Sequence, residues 1–316
     1  MVSASAPGKI ILFGEHAVVY GRPAIAAPLA QVRASATVTP GADGVQIVAP
    51  DLASTQWLHT AAADDALAAA LRQLQTALAL AALPPMVVTV RSQVPIASGL
   101  GSGAAITAAI IRAVAAYLRP AFPITPAWVS ALTYEVEKLH HGTPSGIDNT
   151  VVAYEQPVYF VRQQPANRIE PFAVACPLRL LVADTGRRSQ TRDVVLDVRR
   201  QWQAHPARFE ALFDGCGRLA AAARAAIEQG DVRRIGALMD ENHVLLVEMS
   251  VSSPELDHLV AAARAAGALG AKLSGAGRGG NMIALVADGG ETAVSHALTA
   301  AGATRVLTTT LAHNQL

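Results

Sequence analysis

The sequence predicts an α+β protein built in two halves. Short β-type runs alternate with helical segments through the first half. A long, almost wholly helical stretch from Gln190 to about Ala266 then gives way to alternation again. At 316 residues the chain is also long enough for two ordinary domains with separate cores. The change of pattern lies near residues 163–176, so the expected domains are 1–168 and 169–316.

Taken in order, "KIILF", "PAIAAPL", "RASATVTP" and "GVQIVAP" read as strands, followed by a helix from about Thr60 to Leu83 that Pro84-Pro85 closes. The strand "MVVTVRSQV" leads into a glycine-rich loop and a helix running to Leu118. Thr125 as N-cap with Pro126 behind it predicts a helix to about His140, ending in the turn-rich "HGTPSGIDN". "PVYFV" is a strand, "RQQPANRIEPFA" a loop and "LRLLVADT" a strand. The helical stretch is punctuated at Pro206, Gly230-Asp231 and Pro254. The chain closes with the glycine-rich "AKLSGAGRGG", strand "NMIALVA", helix "ETAVSHALTAAG" and strand "TRVLTTTL".

A net charge of +1 carries no nucleic-acid or membrane-surface footprint, so neither partner is expected. Cys176 and Cys216 are far apart and outside any CxxC spacing, which suggests a reducing compartment. The opening "MVSASAPGK" has no charged segment followed by an apolar run, and the most apolar stretch, Ala104 to Leu118, is interrupted by Arg112 and too short to span a bilayer. A cytoplasmic location is the expectation. Lys9, Lys138 and Lys272 are the only lysines among 25 basic residues, and all fall in or beside glycine- and polar-rich segments. Where arginine does nearly every basic task, a remaining lysine suits a site that needs a compact ammonium, although three instances are also compatible with chance.

The segment "VPIASGLGSGAA" (Val94 to Ala105) joins a strand to a helix with three glycines, two serines and no charge. Bare backbone N–H groups at the positive end of a helix make a phosphate cradle. The Walker A pattern is absent. "GLGSGA" fits the dinucleotide-binding form GxGxx[G/A], but that form needs an acidic residue about 20 positions on, and Ala105 to Tyr134 contains no Asp or Glu. Tight helix–strand packing is the plain alternative for glycines in an isolated motif. Two further segments weigh against it: "APGKIILFGEHAVVYG" (Ala6 to Gly21) and "KLSGAGRGG" (Lys272 to Gly280).

Together these three segments resemble the three motifs of the GHMP kinases, small-molecule kinases without a Walker loop. "PGKIILFGEHAVVYG" with "HGTPSGIDNTV" is similar to the mevalonate kinase branch, and the likeness continues through "DTGRRSQT" and "MDENHVLLVEMSVSSPELDHLV". The resemblance implies a two-domain GHMP kinase fold, with an N-terminal half like domain 2 of ribosomal protein S5 that binds ATP, and an α+β C-terminal half. It implies ATP and Mg²⁺ as cofactors, mevalonate as substrate, phosphorylation of its 5-hydroxyl in isoprenoid biosynthesis, and a homodimer. The rivals are another GHMP kinase, such as one acting on phosphomevalonate, for which Arg187, Arg188 and Arg192 could hold an extra phosphate, and a catalytically silent sensor on the same fold.

By the same resemblance Asp148 is the base for the substrate hydroxyl, with an Asx-turn role as the plain alternative. Lys9 stabilises the transferring charge, and otherwise is a surface lysine. Glu137 holds Mg²⁺, or forms an i,i+4 pair with His141. The triphosphate lies on the loop Ala97, Ser98, Gly99, Leu100, Gly101, Ser102 and Gly103. Glu15, His16, Thr185, Arg188 and Gly277 are on the substrate side, with Arg188, or Arg187 beside it, as carboxylate partner. The family's usual loop reads GLGSSA, whose second serine reaches toward the metal. Here that position is Gly103, leaving Ser102 as the loop's metal contact.

Overall fold

The computed structural model describes residues 1–95, 98–141, 144–188 and 190–312, the side chains of residues 140 and 141 excepted. The chain forms two compact units, neither of them one contiguous stretch. The first comprises Met1–Lys9, Leu29–Ile96 and Leu100–Glu155, and the second Ile10–Pro28, Ala97–Gly99 and Gln156–Leu316. The interleaving follows from two long strands, β1 (Val2–Phe13) and β2 (Ala24–Pro40), each of which passes from one unit into the other.

In the first unit β2 pairs antiparallel with β5 (Met86–Ser92), β5 pairs parallel with β3 (Val45–Ala49), and β3 carries the short antiparallel β4 (Ser54–Trp57). Alternating burial along β3 and along β5 shows one face of each strand turned to the core. Helices α1 (Ala66–Ala77), α2 (Ser102–Leu118) and α3 (Pro126–His141) pack on one another, and α4 (Ile147–Tyr154) lies against α2 and α3.

Helix α1 is shorter than the expected span from Thr60 to Leu83. The Asp65 carboxylate accepts from Ala68 N at 2.8 Å and fixes the start, while the left-handed Ala79 (φ +49°) stops the end. Residues 58–62 are held instead by Arg72, which donates to the carbonyls of Leu58, Ala61 and Ala62. Thr125 caps α3 as expected, its Oγ1 accepting from Trp128 N at 3.2 Å. "PSGIDN" is a helix start rather than a turn at a helix end. Gly146 is the N-cap, Thr150 Oγ1 donates to Gly146 O at 2.6 Å, and Asp148 sits in the first turn of α4.

The second unit holds a four-stranded antiparallel sheet in the order β11 (Arg305–Leu311), β8 (Leu178–Asp184), β10 (Asn281–Val286), β9 (Gly270–Ser274). The punctuated helical stretch resolves into α5 (Thr191–Ala204), α6 (Pro206–Gln229), α7 (Val232–Glu248) and α8 (Pro254–Ala265), with α9 (Glu291–Ala300) following. Helices α7 and α8 cover β9, so "AKLS" is a buried strand and the loop proper begins after Ser274. The core includes Phe209, Phe213, Leu181, Leu246, Leu256 and Met282, and Ala17 from the N-terminal stretch belongs to it. Tyr20 stacks on Phe213 at 4.1 Å between centroids. The expected loop 162–173 contains a strand, β7 (Arg168–Pro171), paired with β6 (Val158–Val161). Arg224 on α6 is bonded to Glu170 of β7 and to Glu228 at 3.0 Å.

Candidate functional site

In the first unit β1 delivers Lys9 and the first turn of α4 delivers Asp148. The Lys9 Nζ lies 3.1 Å from Asp148 Oδ1, the lysine side chain 6% exposed and the aspartate 30%. The partly open carboxylate can still reach a ligand while its neighbour is sequestered. Lys9 is held by its backbone, which donates to Leu100 O at 2.9 Å, and by Gly101. A Cβ on Gly101 would stand 2.8 Å from Lys9 Cγ, and its φ of +75° is left-handed. Gly101 therefore makes room for the lysine stem and turns the chain into α2.

Glu137 comes to the same place from α3. Its carboxyl is buried and accepts from the backbone N–H of Asn149, while Oε2 has no partner among the described residues. Burial, and then the nearby Asp148 charge, push its pKa up to about 8 against the opposing pull of Lys9. Two carboxylates beside one ammonium carry surplus negative charge when both ionise. A divalent cation relieves that surplus, and an inward-facing orphaned oxygen is a donor suited to a hard ion. Among the described residues no cluster of three or more His, Cys, Asp and Glu exists.

Ser102 opens α2 behind Gly101, and no side chain caps that end of the helix. Its first N–H groups are donors of the kind an anion uses. Gly103 is exposed, has ordinary helical backbone, and its missing Cβ would meet nothing within 4 Å. The metal-side serine is replaced by open space. Leu100 is buried, and Ala97 lies outside the described residues.

In the second unit the carbonyl of Ser98 accepts from Asn281 Nδ2 at 2.5 Å, and Gly99 lies beside the same amide. The sequence gives a faint signal for Asn281, a polar residue opening the apolar run "NMIALV". Glu15 is closed off completely and bonded to Lys272 of β9, whose Nζ also donates to Leu273 O at 2.6 Å. Burial lowers the Lys272 pKa, while Glu15 opposes the shift. The scarcity of lysine pointed to Lys272 without naming its partner. His16 is buried with its Nε2–H donated to Ala276 O at 2.8 Å. Burial holds its pKa near about 4, so the ring is neutral with Nδ1 as an acceptor.

Thr185 follows β8, and its Oγ1 donates to Gly280 O at 3.0 Å. Gly277 (φ +83°) turns tightly against the carbonyl of Val251. Arg188 is exposed, whereas its neighbour Arg187 pairs with Glu255 at 3.3 Å. The structure thus brings Lys9, Asp148, Glu137 and Ser102 into one unit, and Ser98, Gly99, Glu15, His16, Thr185, Arg188 and Gly277 into the other.

Comparison with known proteins places both halves of the chain in one family. The family described as "GHMP kinases N terminal domain" matches residues 64–156, and "GHMP kinases C terminal" matches residues 223–304. A mevalonate kinase of Thermococcus sibiricus is 36% identical over 97% of this chain and 95% of its own. The crystal structure of L. major mevalonate kinase with R-mevalonate superposes with a TM-score of 0.86 at 31% identity, covering 100% of this chain and 97% of that one. A Streptococcus pneumoniae phosphomevalonate kinase, bound to phosphomevalonate and AMPPNP, shares the fold with a TM-score of 0.81 over 98% of this chain and 100% of its own. Its identity is only 17%. By full-length kinship and by both halves of the fold, this chain belongs to the mevalonate kinase family of the GHMP kinases.

Proposed function

We infer that this protein transfers the γ-phosphoryl group of ATP to the primary 5-hydroxyl of mevalonate, giving 5-phosphomevalonate and ADP in isoprenoid biosynthesis. The observation that carries this reading is the Lys9–Asp148 pair at 3.1 Å, with a half-open carboxylate backed by a buried ammonium. A silent sensor needs binding groups but no such pair.

In this reading Asp148 takes the proton of the attacking hydroxyl as the O–P bond forms, and the electron pair of the breaking bond leaves with ADP. Lys9 pairs with Asp148 and faces the charge that spreads over the transferring oxygens. The N–H groups around 98–103 hold phosphate oxygens, and Glu137, with Ser102 and the open position at Gly103, forms the metal side. Mg²⁺ held there would supply charge neutralisation for the phosphoryl oxygens. Neutral His16 presents an acceptor to a substrate hydroxyl, Thr185 and Gly277 line the same side, and Arg188 pairs with the substrate carboxylate. Glu15, occupied by Lys272, supports the segment that carries His16. A homodimer and a cytoplasmic location complete the proposal, and light scattering in solution tests the former.

The rival on phosphomevalonate needs spare cations for a second phosphate, and Arg187 is engaged with Glu255. ADP release coupled to NADH oxidation, measured with mevalonate and with phosphomevalonate, decides. Turnover with mevalonate alone is the expected result. Turnover with phosphomevalonate alone replaces the proposal with its rival, and turnover with neither replaces it with the sensor.

A further inference from the structure

Arg112 lies on α2, ten residues beyond Ser102, and so about 15 Å along the helix from its N-terminus. Its guanidinium serves three acceptors. Nη1 donates to Ser5 O at 2.8 Å and to Glu155 Oε1 at 2.5 Å, and Nη2 donates to Ala153 O at 2.6 Å. Arg33 completes the cluster, its Nη2 donating to Glu155 Oε2 at 2.8 Å and its Nε to Ser5 Oγ at 2.9 Å. Glu155 itself is the left-handed C-cap of α4 (φ +54°). Arg112 is the more enclosed of the two arginines, with 17% of its side chain exposed.

Each of these acceptors belongs to an element that carries part of the candidate site at its other end. Ser5 is on β1, four residues before Lys9. Ala153 and Glu155 end α4, whose first turn bears Asp148. Arg112 itself belongs to the helix that begins at Ser102. Helix α4 has only eight residues, too few to hold its own place, so the position of Asp148 depends on what grips its two ends. Asn149 does so at the front, donating to Ser130 Oγ at 2.9 Å. At the rear a cation meets a free carbonyl and the negative end of the helix, where it is most favoured.

We propose that Arg112 is a positioning residue for phosphoryl transfer, the rear anchor that fixes β1, α2 and α4 so that Lys9 and Asp148 stay in register. The proposal rests on the functional reading above. Misplacing a catalytic group by about 1 Å can cost on the order of 10²-fold in rate. Arg112→Met should therefore lower kcat about ten-fold or more, with KM for ATP and for mevalonate within about two-fold of wild type. Arg112→Lys keeps the charge at the helix end but lacks the planar fork, so kcat should be intermediate and KM again unchanged. Arg224→Met, which removes another doubly paired arginine, is the control and should leave kcat unaltered.

Kinetics are measured well below each variant's unfolding temperature. A folded Arg112→Met with wild-type kcat, or with its loss confined to KM, overturns the proposal. If that variant does not fold, Arg112→Lys decides by the same criterion. A wild-type protein inactive on mevalonate sinks the functional reading instead. The anchor is then judged by the crystal structure of the better-folding variant. A Lys9–Asp148 pair kept at 3.1 Å overturns it, and a parted pair upholds it.

Discussion

Asp148 and Glu137 are both carboxyls near Lys9, yet their surroundings suit them to different work in the proposed reaction. Asp148 is 30% exposed and paired, which suits a group that must accept a proton and return it to water. Asp148→Asn keeps the shape and loses the acceptor, so kcat should fall about 10²-fold or more while ATP still binds, as isothermal titration would show. Unchanged kcat would remove Asp148 from the base role. Glu137 is buried with an orphaned oxygen, which suits a metal ligand. A Mg²⁺ titration at fixed ATP should give a higher half-saturating concentration for Glu137→Gln and a lower one for Gly103→Ser. The serine meets no strain, because Gly103 has ordinary backbone and open space around its missing Cβ. A Glu137→Gln titration that overlays wild type makes Glu137 a structural helix residue.

Among the elements, the turn into α2 leaves no room for a side chain at Gly101. Gly101 and Gly103 are two residues apart and should answer opposite ways to substitution. Gly101→Ala meets both a left-handed φ and the Lys9 stem, a backbone cost of about 1–2 kcal/mol with the lysine displaced besides. Its kcat should fall, and steady-state kinetics equal to wild type would show that the loop does not position Lys9. The Glu15–Lys272 link between the N-terminal stretch and β9 is the second such point. Lys272→Met leaves a buried carboxylate without its cation and should cost about 3–5 kcal/mol in urea unfolding. Adding Glu15→Leu should recover most of that loss, whereas an additive second loss would show that the pair is not coupled. Elements with strong punctuation were legible in the sequence: Thr125-Pro126 opened α3, and Pro206, Gly230-Asp231 and Pro254 divided α5 to α8. The misses have local causes. Asp65 and Ala79 trimmed α1 where periodicity alone ran on, β4 and β7 are four-residue strands defined by their partners, and α4 was hidden because "PSGIDN" reads as turn chemistry. Lys9, Glu137 and Asp148 could be named from their motifs. Asn281, Arg112 and Glu155 could not, because their roles lie in partners distant in sequence.

For the whole molecule, acid is the condition that the buried histidines forbid. His16 and His243 are both held near about 4 by burial, His243 despite Asp257 at 3.3 Å. In the unfolded chain each titrates near about 6.5. Depressed folded values mean that their contribution is fully present above pH 6.5 and is lost as pH falls toward 4 and below. Each proton taken up on unfolding corresponds to about 1.4 kcal/mol per pH unit. Urea midpoints should therefore fall between pH 6.5 and 4, and the slope should lessen in His16→Gln. A His16→Gln slope equal to that of wild type over that range would mean that this imidazole is charged in the native state.

The interleaved order of the two units also sets a schedule for synthesis. Residues 1–155 contain every segment of the first unit, so that unit can close early on the ribosome. Residues 10–28 leave the tunnel among the first but belong to a core made of the last half of the chain. Glu15 waits for a partner 257 residues later, roughly 13–50 s at translation rates of about 5–20 residues/s. Throughout that interval residues 10–28 stay outside any finished core, and the cation that Glu15 meets in the folded protein is not yet made.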